Sequence, residues 1–384
     1  MYIRLNITAA LLAGLLSCTI PAAFALEPAQ TQLTADVMDY DIESGEFSAS
    51  GNVVIVRGTL TLKADRGGAN SNTQKAHVDG NVHAFGEHEG EPLDAKCDLL
   101  ESDFSAPEGD YKMTGNVDAM FGTRILRSRT AWLKGRDFGA ENVTHFEDKS
   151  QNMVLACDVL DGNYDDNGVV SATGVGAVHV FQNDEEKDSD LWCDELNYDR
   201  VSDAITATGN SKMHVRQKND TKNDMLLFGE NIVYAIQKGT VTATAKEQVH
   251  VLQKDTDRNS EMWCDEMVYS HIENTLTGTG NAKIHVLQET GNVRETTITG
   301  DNMLYSIAEN IVTATGNTKG FQDGRSITAQ TLLYHTDTGR IEARGTPRIT
   351  VDLSKNGDNK GNQNASPPTD KQGAKRKGTK KRTK

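Results

Sequence analysis

Four histidines share one setting: His179, His214, His250 and His285 each open a His-Val-x-Gln run, with Gln182, Gln217, Gln253 and Gln288 three residues on. Aligned imidazoles would ligate a transition metal or, once protonated, hold a phosphate. No carboxylate or cysteine shares their spacing, so the ladder reads first as the solvent face of a copied unit. Cys97, Cys157, Cys193 and Cys264 occupy a repeat position held elsewhere by Gly229, Gly300 and Ala35, which makes them small buried thiols. Cys157 and Cys193 fall in adjacent units and are the one pair placed to form a disulfide. The stretch from Asp161 to Gly168 resembles a calcium loop loosely: Asp166 stands where the pattern needs glycine, and no glutamate follows at the twelfth position. A polar hairpin turn fits it better. The acid pairs Asp194/Glu195 and Asp265/Glu266 recur as architecture in a chain with 55 Asp and Glu. There is no Gly-x-Ser-x-Gly, no phosphate loop and no His-Glu-x-x-His. The chain reads as non-enzymatic, with no catalytic residue, resident metal or cofactor.

The elements that carry these residues follow from composition and repetition. In 384 residues there are 34 Gly, 7 Pro, 36% hydrophobic and 6% aromatic residues. That describes a turn-rich chain with small core residues and excludes a polytopic membrane protein. The net charge of -15 is a sum of unlike parts, because Ser354 to Lys384 carries ten Lys/Arg against Asp358 and Asp370 and is therefore +8, leaving -23 on the rest. An acidic body lacks the dense cations a nucleic-acid groove requires. Residues 1–25 read as an export signal: Arg4, an apolar run from Ile7 to Leu16, and Ala23-Phe24-Ala25 as a small-x-small site. Lipoprotein anchoring at Cys18, behind a partial lipobox, is the minor alternative to a free periplasmic protein. Residues 354–384 are too polar to bury a core and read as a disordered basic tail.

Residues 26–353 form a β-repeat domain. The segments Asp190–Tyr198, Leu226–Tyr234, Glu261–Tyr269 and Thr297–Tyr305 align, and each leads into an alternating run ending on a small residue, at Gly209, Ala245, Gly280 and Gly316. The period is 35 or 36 residues, and weaker copies at Gly51, Gly80, Gly115, Gly174 and Gly345 bring the total to nine or ten units. Two tandem blocks, about 31–150 and 151–353, are a further way to divide it. Alternation with period 2 and the abundance of Thr and Val make each unit β. Parity slips by one at Asp194-Glu195, Glu230-Asn231, Asp265-Glu266 and Asp301-Asn302, which predicts a bulge or corner at the same place in successive units. Stacked units must share a lengthwise core, about 45 Å long at one rung per unit or about 90 Å at two.

The inward column is unusually small at one level, as at Ala49, Ala172, Ala207, Ala243 and Ala314. Small residues opposite larger ones either close two sheets tightly or leave a lengthwise gap. In the second case an apolar groove for acyl chains would be lined by Ala49, Ala172, Ile205, Ala207, Met213, Val241, Ala243, Leu276, Ile284, Val312 and Ala314. Tyr40, Tyr198, Tyr234, Tyr269, Tyr305 and Tyr334 would then sit near its mouth, rings toward lipid and hydroxyls toward water.

Ser48-Ala-Ser-Gly51-Asn52-Val53-Val54-Ile55-Val56, followed by Gly58 and Leu62-Lys-Ala64-Asp65, resembles the repeat signature of the OstA-like/LptA family of lipopolysaccharide transport proteins. Thr208-Gly209-Asn210, Thr279-Gly280-Asn281 and Thr315-Gly316-Asn317 repeat its Thr-Gly-Asn element. The resemblance implies an all-β, elongated, folded-over β jelly roll whose interior carries the acyl chains of lipopolysaccharide or a related glycolipid between inner and outer membranes. It also implies inner-membrane and outer-membrane lipopolysaccharide transport components as partners, and end-to-end self-association by strand pairing. The chain departs from the family in being about twice the usual length and in its basic tail. A structural β-solenoid scaffold of the cell envelope is the alternative reading.

Overall fold

A computed structural model describes residues 31–351, apart from stretches of one to five residues between strands. The expected export signal and basic tail lie outside the described residues. Twenty-two strands and no helix make up the described chain, from Thr31–Thr34 to Arg348–Val351. From Glu46–Arg57 to Arg325–His335 each strand pairs antiparallel with the strand before it and the strand after it. At the ends, Thr31–Thr34 and Val37–Tyr40 share the first long strand as partner, and Arg340–Arg344 and Arg348–Val351 share the last.

The expected corner is present and explains the repeat. Register breaks in the pair Lys187–Asp199 and Ala204–Gln217 fall between Trp192 and Glu195, and the same break recurs between Phe228 and Asn231, Trp263 and Glu266, and Thr299 and Asn302. On the partner strand Gly209 and Asn210 both take left-handed backbone, φ 73° and 46°. Asn210 Nδ2 donates to Asp194 Oδ2 at 2.9 Å across the corner. Equivalent Asn-to-Asp bonds join Asn81 to Asp65, Asn116 to Asp98 and Asn317 to Asp301, each with a distance of 2.8 or 2.9 Å. Glycine is required at the first position both for its positive φ and for room: a Cβ on Gly209 would lie 2.4 Å from Asp194 Oδ2. The Thr-Gly-Asn element is thus a hinge with a side-chain latch.

Each 35-residue unit holds two strands, so the longer expected length applies, about 90 Å at the usual strand spacing. The corners fold the meander lengthwise into two half-sheets. One contains Lys187–Cys193 and Ser211–Gln217 with their equivalents, and the other Glu195–Asp199 and Ala204–Thr208. Their inner faces form one continuous apolar cluster from Ala49 to Tyr334.

Candidate functional site

The interior between the half-sheets is where the expected groove residues lie. All eleven are buried: Ala49, Ala172, Ile205, Ala207, Met213, Val241, Ala243, Leu276, Ile284, Val312 and Ala314 are between 0% and 8% exposed. Ala207, Ala243 and Ala314 belong to one row across the second half-sheet, in which small and large alternate: Gly174, Leu196, Ala207, Ile232, Ala243, Met267, Gly278, Met303, Ala314, Leu332. Ala172 differs from expectation: it lies one row over, opposite Tyr198, because Gly176, φ 78°, and not Gly174, holds the corner of its strand. Such a face is scalloped, and side chains of the opposite half-sheet fill its notches. A Cβ added at Gly278 would lie 2.4 Å from Met262 Cε. Met213, Leu227 and Val251 face Ala243, Met267 and Leu276 around a void of about 10 Å³. The voids beside Ile205 and Ala207, and beside Leu276 and Ile284, are about 40 and 30 Å³. Spaces of that size hold a water or a few. The two half-sheets are therefore in contact along these units.

The tyrosines differ from expectation. Tyr198, Tyr234, Tyr269 and Tyr334 are buried at 2–6%, Tyr305 is half-buried and only Tyr40 is exposed. They form a second inner row, alternating with Ile205, Val241, Leu276 and Val312. Their rings are covered by the facing half-sheet instead of sitting at a wet rim. The Tyr269 hydroxyl is buried with no hydrogen-bond partner, and burial pushes it up to about 12. At the C-terminal end the lips of the fold are bonded together. Gln322 Nε2 donates to the Gly339 carbonyl at 3.0 Å and to Thr296 Oγ1 at 2.8 Å, and the Arg258 guanidinium donates to the Thr336 carbonyl.

The cysteines line the first half-sheet beside the corners, buried and free. The disulfide that adjacent units would have allowed between Cys157 and Cys193 cannot form, because the whole strand Gly168–Asn183 runs between theirs. Two strand spacings, about 9.6 Å, exceed the Cα separation a disulfide spans. Burial, reinforced by the aspartate that follows each, pushes Cys157, Cys193 and Cys264 up to about 12 and Cys97 to about 11. Because the thiolate is the reactive form, a thiol reagent at pH 8 is expected to label none of the four in the folded protein and all four in denaturant. Labelling at free-thiol rates would mean that the half-sheets open readily.

The histidines lie on the outer face of the first half-sheet as expected, but carboxylates do accompany them. His179 Nε2 is 2.8 Å from Asp190 Oδ1, His285 Nε2 3.0 Å from Glu295 Oε1, and His250 Nε2 3.5 Å from Glu261 Oε2. The partner sits diagonally on the next strand, a relation that spacing within a single unit conceals. Rings stack along the same face: His179 on Trp192 and His250 on Trp263 have centroids 5.0 Å apart, and Lys212 and Lys283 lie 4.8 Å over the two indoles. Among the described residues no group of three or more His, Cys, Asp or Glu is placed to hold a metal ion. These pairs instead tie neighbouring strands together.

The chain is an all-β antiparallel meander folded lengthwise around an apolar interior. Residues 32–118, under a quarter of the chain, match the family described as LptA/(LptD N-terminal domain) LPS transport protein. Among solved structures the chain is similar to LptH of Pseudomonas aeruginosa, the LptA homologous periplasmic component of the conserved lipopolysaccharide transport device. The identity there is 13% and the TM-score 0.29, over 33% of this chain and 94% of that one. No curated protein matches the chain.

Proposed function

We propose that this protein is a non-enzymatic periplasmic carrier or bridge for lipopolysaccharide or a related glycolipid, holding its acyl chains between the two half-sheets. The observation that carries the reading is the scalloped inner row, in which Ala207, Ala243, Gly278 and Ala314 make notches along the C-terminal half of the fold. The side chains occupying the notches include Met213, Met225 and Met262, which adapt their shape at low cost. In the resting state the interior is closed, so acyl chains enter by displacing these methionines and parting the half-sheets. The C-terminal lips, held by Gln322 and Arg258, open last. The inner-membrane and outer-membrane lipopolysaccharide transport components are its partners, reached by end-to-end strand pairing through the exposed end strands Val37–Tyr40 and Arg348–Val351.

Filling a notch tests this. Ala207→Trp is expected to weaken lipopolysaccharide binding at least about tenfold at an overpacking cost of about 1–3 kcal/mol, while Thr206→Trp, on the outer face, leaves binding unchanged. Far-ultraviolet circular dichroism confirms that both variants keep their strands. Equal binding by the two would remove the interior from the account. The dense packing of the voids favours a second reading, a filled structural scaffold, and that result would support it.

A further inference from the structure

A large concavity in the described protein lies outside the interior. It is a cleft of about 1130 Å³ lined by the second half-sheet across seven strands, from Val37–Tyr40 to Arg124–Lys134. One outward row crosses it strand by strand, from Asp39 through Ser48, Gly68, His77, Glu101 and Lys112 to Trp132. The residues beside that row, such as Ala49, Tyr111 and Leu133, point the other way and are buried in the core at 2–4%. Floor and walls differ in bulk. Ser48 and Gly68 leave the floor bare, and the His77 ring lies against Gly68, where a Cβ would be 2.5 Å from its Cε1. Trp132 is half-buried at the far side, resting on Gly139.

The charges select the ligand. Asp39, Asp41, Glu46, Glu101, Asp103 and Asp110 line the cleft against Lys75, Lys112 and Lys134. An excess of three carboxylates in a concave site repels phosphate and other anions. Several of the six are already used: Asp103 pairs with Lys75 at 3.4 Å, Asp110 accepts the Gly135 N–H at 3.1 Å, and Asp41 accepts the Glu43 N–H at 2.8 Å. Glu101 and His77 have no ion pair or side-chain hydrogen bond among the described residues, and they are neighbours in the row. Carboxylates that accept hydrogen bonds and an imidazole, interleaved with apolar surface from Phe47, Leu99 and the Trp132 indole, match a ligand with hydroxyl or amino groups on its edges and C–H faces between them, as sugar rings have. The row from Asp39 to Trp132 crosses seven strands, about 29 Å at the usual strand spacing, a span that suits a chain of several rings.

We infer that this outer cleft binds a saccharide chain that is neutral or bears amino groups. The site is separate from the interior, and its failure leaves the acyl-chain reading untouched. Such a chain is either the glycan of a glycolipid or a free envelope polysaccharide, and both present the same hydroxyl and amino groups.

The test is calorimetric titration of the full chain with a glucosamine hexamer and with its N-acetylated counterpart. Binding of at least one hexamer is expected, with Glu101→Gln and Ser48→Trp each weakening it by about tenfold or more, the loss that removing a hydrogen bond to a charged group produces. Both positions are exposed, so neither change threatens the core. Binding of neither hexamer, or binding unaffected by Ser48→Trp, overturns the assignment. Displacement of the bound hexamer by lipid-free glycan cleaved from lipopolysaccharide identifies a glycolipid as the source, and absence of displacement identifies a free polysaccharide; saccharide binding holds in either case. Lipopolysaccharide capture through the interior, read with the Ala207→Trp variant, reports separately on the proposed carrier function.

Discussion

Gly280→Val lowers stability by about 2–3 kcal/mol. The residue has φ 73° and its added Cβ would lie 2.2 Å from Asp265 Oδ2. Left-handed backbone alone costs a residue with a Cβ about 1–2 kcal/mol, and pushing Asp265 aside breaks its bond to Asn281, worth about 1 kcal/mol. Gly324 is the control: its φ is 75°, yet nothing lies within 4 Å of its Cβ position. Gly324→Ala therefore carries the backbone cost without the lost latch. Chemical denaturation of the two variants separates the terms. In a stacked array a local defect is felt mainly by adjacent units, so hydrogen exchange in Gly280→Val should speed up in the strands Arg258–Ser270 and Thr275–Gln288 and stay slow near Val53. Equal losses for the two glycine variants would show that the Asn-to-Asp latch contributes nothing.

Leu196→Ala has a larger expected cost and an opposite expected effect on binding. Leu196 is 1% exposed and borders the void of about 40 Å³ beside Ile205 and Ala207. Truncating a leucine so enclosed costs about 2–5 kcal/mol, rising with the cavity left behind. The enlarged space is apolar and sits in the scalloped row. If the interior holds acyl chains, Leu196→Ala strengthens lipopolysaccharide capture while it lowers the midpoint of unfolding, whereas Ala207→Trp reduces capture. A scaffold with a permanently filled interior gives the same fall in stability with no change in binding. Measuring both quantities on both variants distinguishes the two.

The corners were legible in the residues because they disturb the period of 2. The slip between Cys193 and Leu196 has one structural solution, an extra residue at Asp194, and Gly209 supplies the backbone freedom opposite it. The inward assignment of Ile205, Ala207, Met213 and Val215 followed from the same alternation, and all four are buried. What lay beyond reach depends on distances between half-sheets. Whether Ala207 and Ala243 bound a gap or a contact is decided by Met213 and Leu227 across the interior, and nothing in the local pattern ties them together. The same holds for the tyrosines, whose expected wet rim is covered by the facing half-sheet. The partner of His179, Asp190, sits on the next strand and off by one row, which alternation within a unit does not reveal. Cys157 and Cys193 lie in adjacent units, but the return strand Gly168–Asn183 separates them. Gly67 and Gly68 offered a signal that could have exposed the outer cleft, since the outward position held by Gly68 carries a side chain at Glu101, Trp132, Asp161 and Asn197.

Photo-crosslinking separates an interior that takes up acyl chains from one that stays filled by its own side chains. A photoreactive residue is placed in turn at Ile205, 3% exposed and facing the opposite half-sheet, and at the adjacent outward Thr206, and each protein is irradiated with lipopolysaccharide. Adducts are expected from position 205 and none from 206. Adducts from neither position, or equally from both, would contradict uptake of acyl chains into the interior.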